Sequence, residues 1–505
     1  MFSRRTLTAF VAACAVSASV GVGWATGVEA TNQELPELGS AANAAVSIDE
    51  EYGAGLMVVR SLRESGQLLE DPEVGQYIQE IGHSLSSRAE EGQHQFNYFV
   101  LRDPVINAFA VWGGFIFVNS GLILNSNSEN ELAGVLAHET AHVTQRHLVR
   151  GLVDQSHAGL LSTAAMLAAV LLGATAGRGS PSGMEGAILG AQGAAIQHQI
   201  NFTRSQEFEA DRIGISTMAA AGYDPLGMAS MFETLNHNTP DPSRMRAIEF
   251  LIDHPSSSDR VAEARARAAQ IGRIHHEDSL TYTLVRERLR SLVGDPQAVH
   301  EYYMNLLKNG AGREVSDRYG NDVAAILRRR PAEAIPDLQA LIDEYPKITL
   351  FYGALGQAYA ADGELPKAIS SLQKALTLFP RNVPITIRLA EALMQSGDNK
   401  QAHLLLLDLF NIVEPTPEQT RLIAKAANAA GDTADSYYYM AQFYIMTGDL
   451  KMSFNQLQLA LGLPGLNAIQ RARFSAQLDE VRAALAKQKK AQQVADDNGG
   501  GNGQH

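Results

Sequence analysis

From Asn130 to Val153 apolar residues recur at helical spacing, with Leu132, Val135, Leu136 and Val143 on one stripe. That pattern predicts a helix with one face in a core rather than a solvated rod. Ser128, three residues ahead of Glu131, reads as a capping box that starts it, because a serine at the N-cap takes a backbone N–H the helix leaves unpaired. A second helical pattern runs from Ser205 through Ile213, Ile215 and Met218. Phe115-Ile116-Phe117-Val118 is an unbroken apolar run behind Gly113 and Gly114, and reads as a strand beside the first helix.

Farther along, the pattern repeats on a longer scale. Gly363, Gly397 and Gly431 recur every 34 residues, as do Ala334, Ala368 and Ala402, and Pro346 and Pro380. That is the period of tetratricopeptide helix pairs, in which small residues let helices approach and proline ends the second helix. The fullest copy runs through Tyr352, Leu355, Gly356, Tyr359, Ala368, Leu372, Ala375 and Pro380. About four repeats are expected over 320–486, reached from the preceding region by a helical connector over 276–319. Such an array offers a concave surface to peptides or partner proteins. The fold class expected is mainly α: a helical domain with a small β-sheet over 49–275, then an α-solenoid.

The ends of the chain read differently. Met1 to Arg5 is basic, Leu7 to Val22 lacks charge, and Val28-Glu29-Ala30 has small residues where a signal peptidase cuts. Residues 1–30 therefore read as a secretory signal, followed by a flexible linker over 31–48. Cys14, the single cysteine, superficially fits a lipoprotein cleavage box, but the apolar run continues past it. Gly159 to Gly177 carries no charged residue, and with Ala187 to Ile200 it predicts a Gly/Ala-rich helical hairpin over 157–200 that touches a membrane surface or packs on the core. The polar stretch 487–505 is expected to be disordered. A net charge of -14 argues against a nucleic-acid role, which needs a basic surface.

The first helix carries the chemistry. His138-Glu139-Thr140-Ala141-His142 places two imidazoles four residues apart, on one helix face, with a glutamate beside them. Two such histidines can share one ion, and the glutamate can act on the ion's water without ligating it, as in zinc peptidases. A third protein ligand is needed. Glu207 and Asp211 also lie four apart on one helix face, so one carboxylate can bind metal while the other takes the outer N–H of a histidine ligand. Glu209 competes, but projects about 200° away from Glu207. Pro255 disfavours helix at His254 and predicts a loop that presents this imidazole. It can polarise a scissile carbonyl or cap the metal, with Arg260 nearby in sequence as a candidate oxyanion partner. His83, His94, His147, His157, His198, His275 and His276 show no ligand-like spacing and read as structural or solvated.

Four blocks in order, Asn107 to Ala110 with Gly113 to Val118, His138 to His142, Glu207 to Asp211, and His254-Pro255 with Arg260, give a specific resemblance. The chain resembles the periplasmic β-barrel assembly-enhancing proteases, within the gluzincin family that includes the CAAX-prenyl endopeptidase. Val111-Trp112 departs from the small residue and proline of many relatives. The resemblance implies one zinc ion held by His138, His142 and Glu207, Glu139 as general base, Asp211 behind a ligand, and His254 as switchable ligand or transition-state group. It also implies that Phe115 to Val118 is an edge strand that aligns extended substrate by β-addition. Further implications are a periplasmic endopeptidase that degrades unfolded or misassembled outer-membrane proteins, docked at the barrel-assembly machinery. The alternative is a chaperone or assembly adaptor whose repeats bind clients while proteolysis is secondary.

Overall fold

A computed structural model describes residues 46–89, 95–155, 203–237, 254, 258–309 and 314–499, with Leu160, Thr163, Ala164, Leu167 and Ala169 between them. The expected signal peptide with Cys14, most of the linker, and nearly all of the 157–200 hairpin lie outside these residues. No helix among the described residues is long and apolar enough to cross a membrane.

Two helices open the fold, α1 (Ile48–Glu64) and α2 (Pro72–Ser86), followed by β1 (Asn97–Leu101), β2 (Ala108–Val111) and β3 (Phe115–Asn119). The sheet order is β1-β3-β2, with β3 parallel to β1 and antiparallel to β2. Phe115 to Val118 is therefore the central strand, not the edge expected from the sequence. Its unbroken apolar run is the signature of a strand covered on both faces, and all five of its residues are buried. The edge beyond it belongs to β2.

After the short α3 (Ser120–Asn125) comes α4 (Glu129–Thr144), which carries the histidine pair. Ser128 caps it by accepting from Glu131 N at 3.2 Å. The other half of the expected box is redirected: Glu131 accepts instead from Asn127 N and from Ser230. Every residue from Glu131 to Val143 is buried, so α4 is a central helix rather than a one-faced one. Arg146, at φ 51, stands in the left-handed region and breaks the chain before α5 (His147–Gln155). Its guanidinium is tied to Glu51 of α1 and to the Val46 carbonyl, which holds that costly conformation.

Helices α6 (Arg204–Ala220) and α7 (Leu226–His237) lie against α4, and α8 (Ser258–Ile271) packs on both. The approach is close because glycines sit at the crossings. A Cβ at Gly214 would come within 3.2 Å of the Ala137 and His138 backbone, and one at Gly134 within 2.9 Å of Met228 Cα.

The connector helices α9 (Leu280–Val293) and α10 (Pro296–Lys308) lead into ten helices. Five helix-turn-helix pairs follow: α11 (Val315–Leu327) with α12 (Pro331–Glu344), α13 (Thr349–Ala361) with α14 (Leu365–Leu378), α15 (Val383–Gln395) with α16 (Asn399–Phe410), α17 (Pro417–Ala429) with α18 (Thr433–Met446), and α19 (Leu450–Leu461) with α20 (Ala468–Gly499). The turn inside each pair contains a left-handed residue: Arg329, Gly363, Gly397, Gly431 and Gly465. The 34-residue period thus extends one step beyond the three glycines at each end. The last helix runs to Gly499, past the expected start of disorder at residue 487. Ala, Lys and Gln dominate that stretch, and their intrinsic helix propensity outweighs its polarity.

The solenoid is tied back to the peptidase region by buried charge. Arg288 of α9 places Nη2 2.7 Å from Asp71 and 3.1 Å from Glu73, at the start of α2. Arg388 of α15 reaches the same two carboxylates at 3.2 and 2.7 Å. Within the solenoid, burial and the neighbouring Asp337 carboxylate push the Asp322 carboxyl up to about 9. The folded chain thus holds a proton there that the unfolded chain releases above about 3.8. Stability should therefore fall as pH rises from about 4 towards 9. Asp322→Asn should flatten that part of the profile, matching wild type near pH 4 and exceeding it near pH 8, as read from urea midpoints.

Candidate metal centre

His138 and His142 leave α4 one turn apart, and their Nε2 atoms face each other at 3.0 Å. Glu207, on the first turn of α6, brings Oε2 3.5 Å from His138 Nε2 and Oε1 3.5 Å from His142 Nε2. His254 completes the cluster, with Nδ1 3.0 Å from Glu207 Oε1 and 3.2 Å from His138 Nε2. One donor atom from each of these four residues lies within 4.8 Å of the others, and all four residues are buried. Nitrogen and carboxylate oxygen converging on one buried point is a donor set that fits zinc. Glu139 is wholly buried beside it, with His254 Nε2 3.5 Å from its Oε1.

The surroundings set the charges. Burial pushes the Glu139 carboxyl up, against the pull of His254 and His138. Burial opposes ionisation of Glu207 too, but His254 and His138 hold it well below the usual carboxylate range. His138 is pushed up to about 9, since bonds to Asp211 and Glu207 override its burial. His142 moves the other way, driven down by burial and by the charge on His138.

Asp211 stands where the sequence expected a carboxylate behind a ligand: its Oδ1 lies 3.0 Å from His138 Nδ1, on the ring edge away from the cluster. Arg260, the candidate oxyanion partner, meets two carboxylates. Its Nε and Nη2 clamp Asp211 at 2.7 and 2.8 Å, and Nη1 lies 2.7 Å from Glu207 Oε2. The guanidinium is buried with its face over Phe232 at 4.7 Å. All three of its nitrogens lie against carboxylates, an arrangement that orients Glu207 and Asp211. Arginine suits this fork-on-fork geometry better than any other side chain.

One residue was missed. His147, read from sequence as structural or solvated, is buried with Nδ1 2.9 Å from His142 Nδ1 and Nε2 3.1 Å from Glu209 Oε2. A helical wheel does not reveal it, because the left-handed Arg146 separates it from α4. Glu209 does point away from Glu207, as the helix geometry requires, and meets His147 there. Among the described histidines outside the cluster, His276 Nε2 lies 3.2 Å from Glu129 Oε2 and His83 Nε2 3.1 Å from the Phe96 carbonyl, while His94, His157 and His198 lie outside the described residues.

The chain matches known sequences over most of its length. A β-barrel assembly-enhancing protease of Yersinia pestis is 31% identical over 453 residues, covering 89% of this chain and 91% of the relative. The chain belongs to the β-barrel assembly-enhancing protease family. The relative of the same name from Escherichia coli K12 is 30% identical over 451 residues, with 89% and 91% covered. Residues 72–268 match Peptidase family M48, and residues 359–426 match a tetratricopeptide repeat. A mitochondrial metalloendopeptidase of Schizosaccharomyces pombe is 33% identical over 168 residues, covering 32% of this chain and 43% of that protein. Family membership and the buried donor cluster together make the chain a zinc metalloendopeptidase.

Removing the guanidinium should leave two buried carboxylates with only the His138 and His254 imidazoles facing them. Arg260→Met is expected to cost the zinc-free protein about 3–5 kcal/mol, measured as loss of unfolding free energy in a urea titration.

Proposed function

We propose that this endopeptidase works in the periplasm on outer-membrane β-barrel proteins, degrading unfolded or misassembled clients, with the solenoid presenting them or docking at the assembly machinery. The convergence of His138, His142 and Glu207 beside Glu139 carries the catalytic part of the reading. The client class rests on the family relatives, whose name specifies β-barrel assembly. Export rests on the basic, then apolar, then small-residue pattern of residues 1–30. A signal peptide, a peptidase region over 49–275, a connector over 276–319 and repeats over 320–486 form the proposed division of the chain.

In this reading His138, His142 and Glu207 hold one zinc ion. Zinc, when bound, supplies an activated water and a Lewis acid for the peptide carbonyl. Glu139 takes the proton of the attacking water at its carboxylate and delivers it to the leaving nitrogen. Its burial supports this, because a raised carboxyl pKa brings it nearer that of the groups it exchanges protons with. Asp211 orients His138, and Arg260 keeps both acids in place. His254, inside the donor cluster, occupies the position substrate needs and serves as the resting-state cap.

Substrate alignment falls to β2 rather than to the central strand. Ala108 to Val111 form a sheet edge packed beside α4, and among the described residues β2 pairs only with β3. A client segment can extend the sheet there by main-chain hydrogen bonds.

The deciding experiment compares zinc content and degradation of an unfolded β-barrel client in wild type, Glu139→Gln and His254→Ala. One zinc per chain, with cleavage lost by at least about a hundredfold in Glu139→Gln and raised in His254→Ala, is the expected result. Bound zinc with no cleavage in any variant, and barrel assembly still supported by Glu139→Gln, would favour the adaptor reading. No cleavage in His254→Ala alone would make His254 a transition-state group instead of a cap.

A further inference from the structure

His138 and His142 differ in what stands behind them. His138 has a carboxylate directly on its outer nitrogen, Asp211 Oδ1 at 3.0 Å. His142 has another imidazole there, with His147 Nδ1 2.9 Å from His142 Nδ1, and the carboxylate comes only after it, with Glu209 Oε2 3.1 Å from His147 Nε2. His142 turns its Nε2 to the donor cluster, so the contact with His147 uses the far side of the ring.

Two ring nitrogens 2.9 Å apart share one proton, so one donates and the other accepts. A metal ligand keeps a lone pair on Nε2, which leaves the His142 proton on Nδ1, pointing at His147. His147 must then offer the lone pair of its own Nδ1 and carry its proton on Nε2, where Glu209 accepts it. Every nitrogen has one role, and a carboxylate that only accepts fixes them all.

We propose that His147 and Glu209 are positioning residues for zinc binding: a relay that holds His142 in the Nδ1-protonated tautomer and fixes its ring plane. The inference rests on the reading of His142 as a zinc ligand. The fold supports it through three further placements. Glu209 lies two residues from Asp211, on the opposite side of α6, so one helix orients both histidines from two faces. Arg150 reaches Glu209 Oε2 at 3.2 Å and steadies it from outside. The left-handed Arg146, tied to Glu51 and the Val46 carbonyl, turns the chain so that His147 returns to the His142 ring.

The test measures zinc affinity of the full chain by chelator competition, and thermal unfolding with and without zinc. The variants are Glu209→Ala, His147→Leu, His147→Gln and, as reference, His142→Ala. Glu209→Ala and His147→Leu should weaken zinc binding about 10- to 100-fold, and shrink the rise in Tm that zinc produces. His147→Gln should recover much of the affinity, because its amide oxygen can accept the His142 N–H. The Glu209 side chain is 28% exposed, so its truncation leaves little to repack. Wild-type zinc affinity in both Glu209→Ala and His147→Leu, with only the zinc-free Tm lowered, would overturn the relay and leave a packing role. Wild-type affinity in His142→Ala would instead overturn the ligand reading beneath it.

Discussion

The closeness of α6 to α4 is the constraint from which the metal centre follows. Gly214 sits where a Cβ would come within 3.2 Å of the backbone of Ala137 and His138, so the two helices approach closely. At that separation Glu207, two turns earlier on α6, reaches both histidine Nε2 atoms, and Asp211 reaches the outer nitrogen of His138. A larger residue at this crossing would crowd the Met228 side chain and the α4 backbone, and overpacking of that kind typically costs about 1–3 kcal/mol. The chemistry of the site is thus set as much by an absent Cβ as by the residues that carry charge.

Charge balance is the second level. Glu139, Glu207 and Asp211 are buried together, and such a group is tolerated only with cations in contact. Arg260 supplies the permanent one, and its planar fork also dictates where two of the acids point. A zinc ion held by His138, His142 and Glu207 would complete the set. Positioning and neutralisation are carried out by the same side chains, which is why the site is so densely linked.

Much of this was legible in the sequence, for reasons that also explain what was not. The donor residues were legible because helical spacing converts directly into a shared face: His138 with His142, and Glu207 with Asp211. The solenoid was legible because its turns need left-handed residues, and glycine marks those at 363, 397 and 431. The first turn escaped because an arginine, Arg329, fills the same backbone position. His147 escaped for the same reason, hidden behind the left-handed Arg146. The order of strands was not legible at all. An apolar run says that a strand is covered, and only the pairing shows that Phe115 to Val118 lie in the middle. The role of Arg260 also needed coordinates, since nothing in its position along the chain says which carboxylates it meets.

The clamp of Arg288 and Arg388 on Asp71 and Glu73 has a consequence for how the chain can be divided. Arg288 belongs to the connector, Arg388 to the solenoid, and both acids to the start of α2 in the peptidase region. A fragment ending before α15 keeps both buried carboxylates but only one of their two guanidinium partners. Sequence homology draws a border between peptidase and repeats, yet the electrostatics run across it. A piece that holds the whole donor cluster can therefore still lack part of the charge balance that the full chain contains.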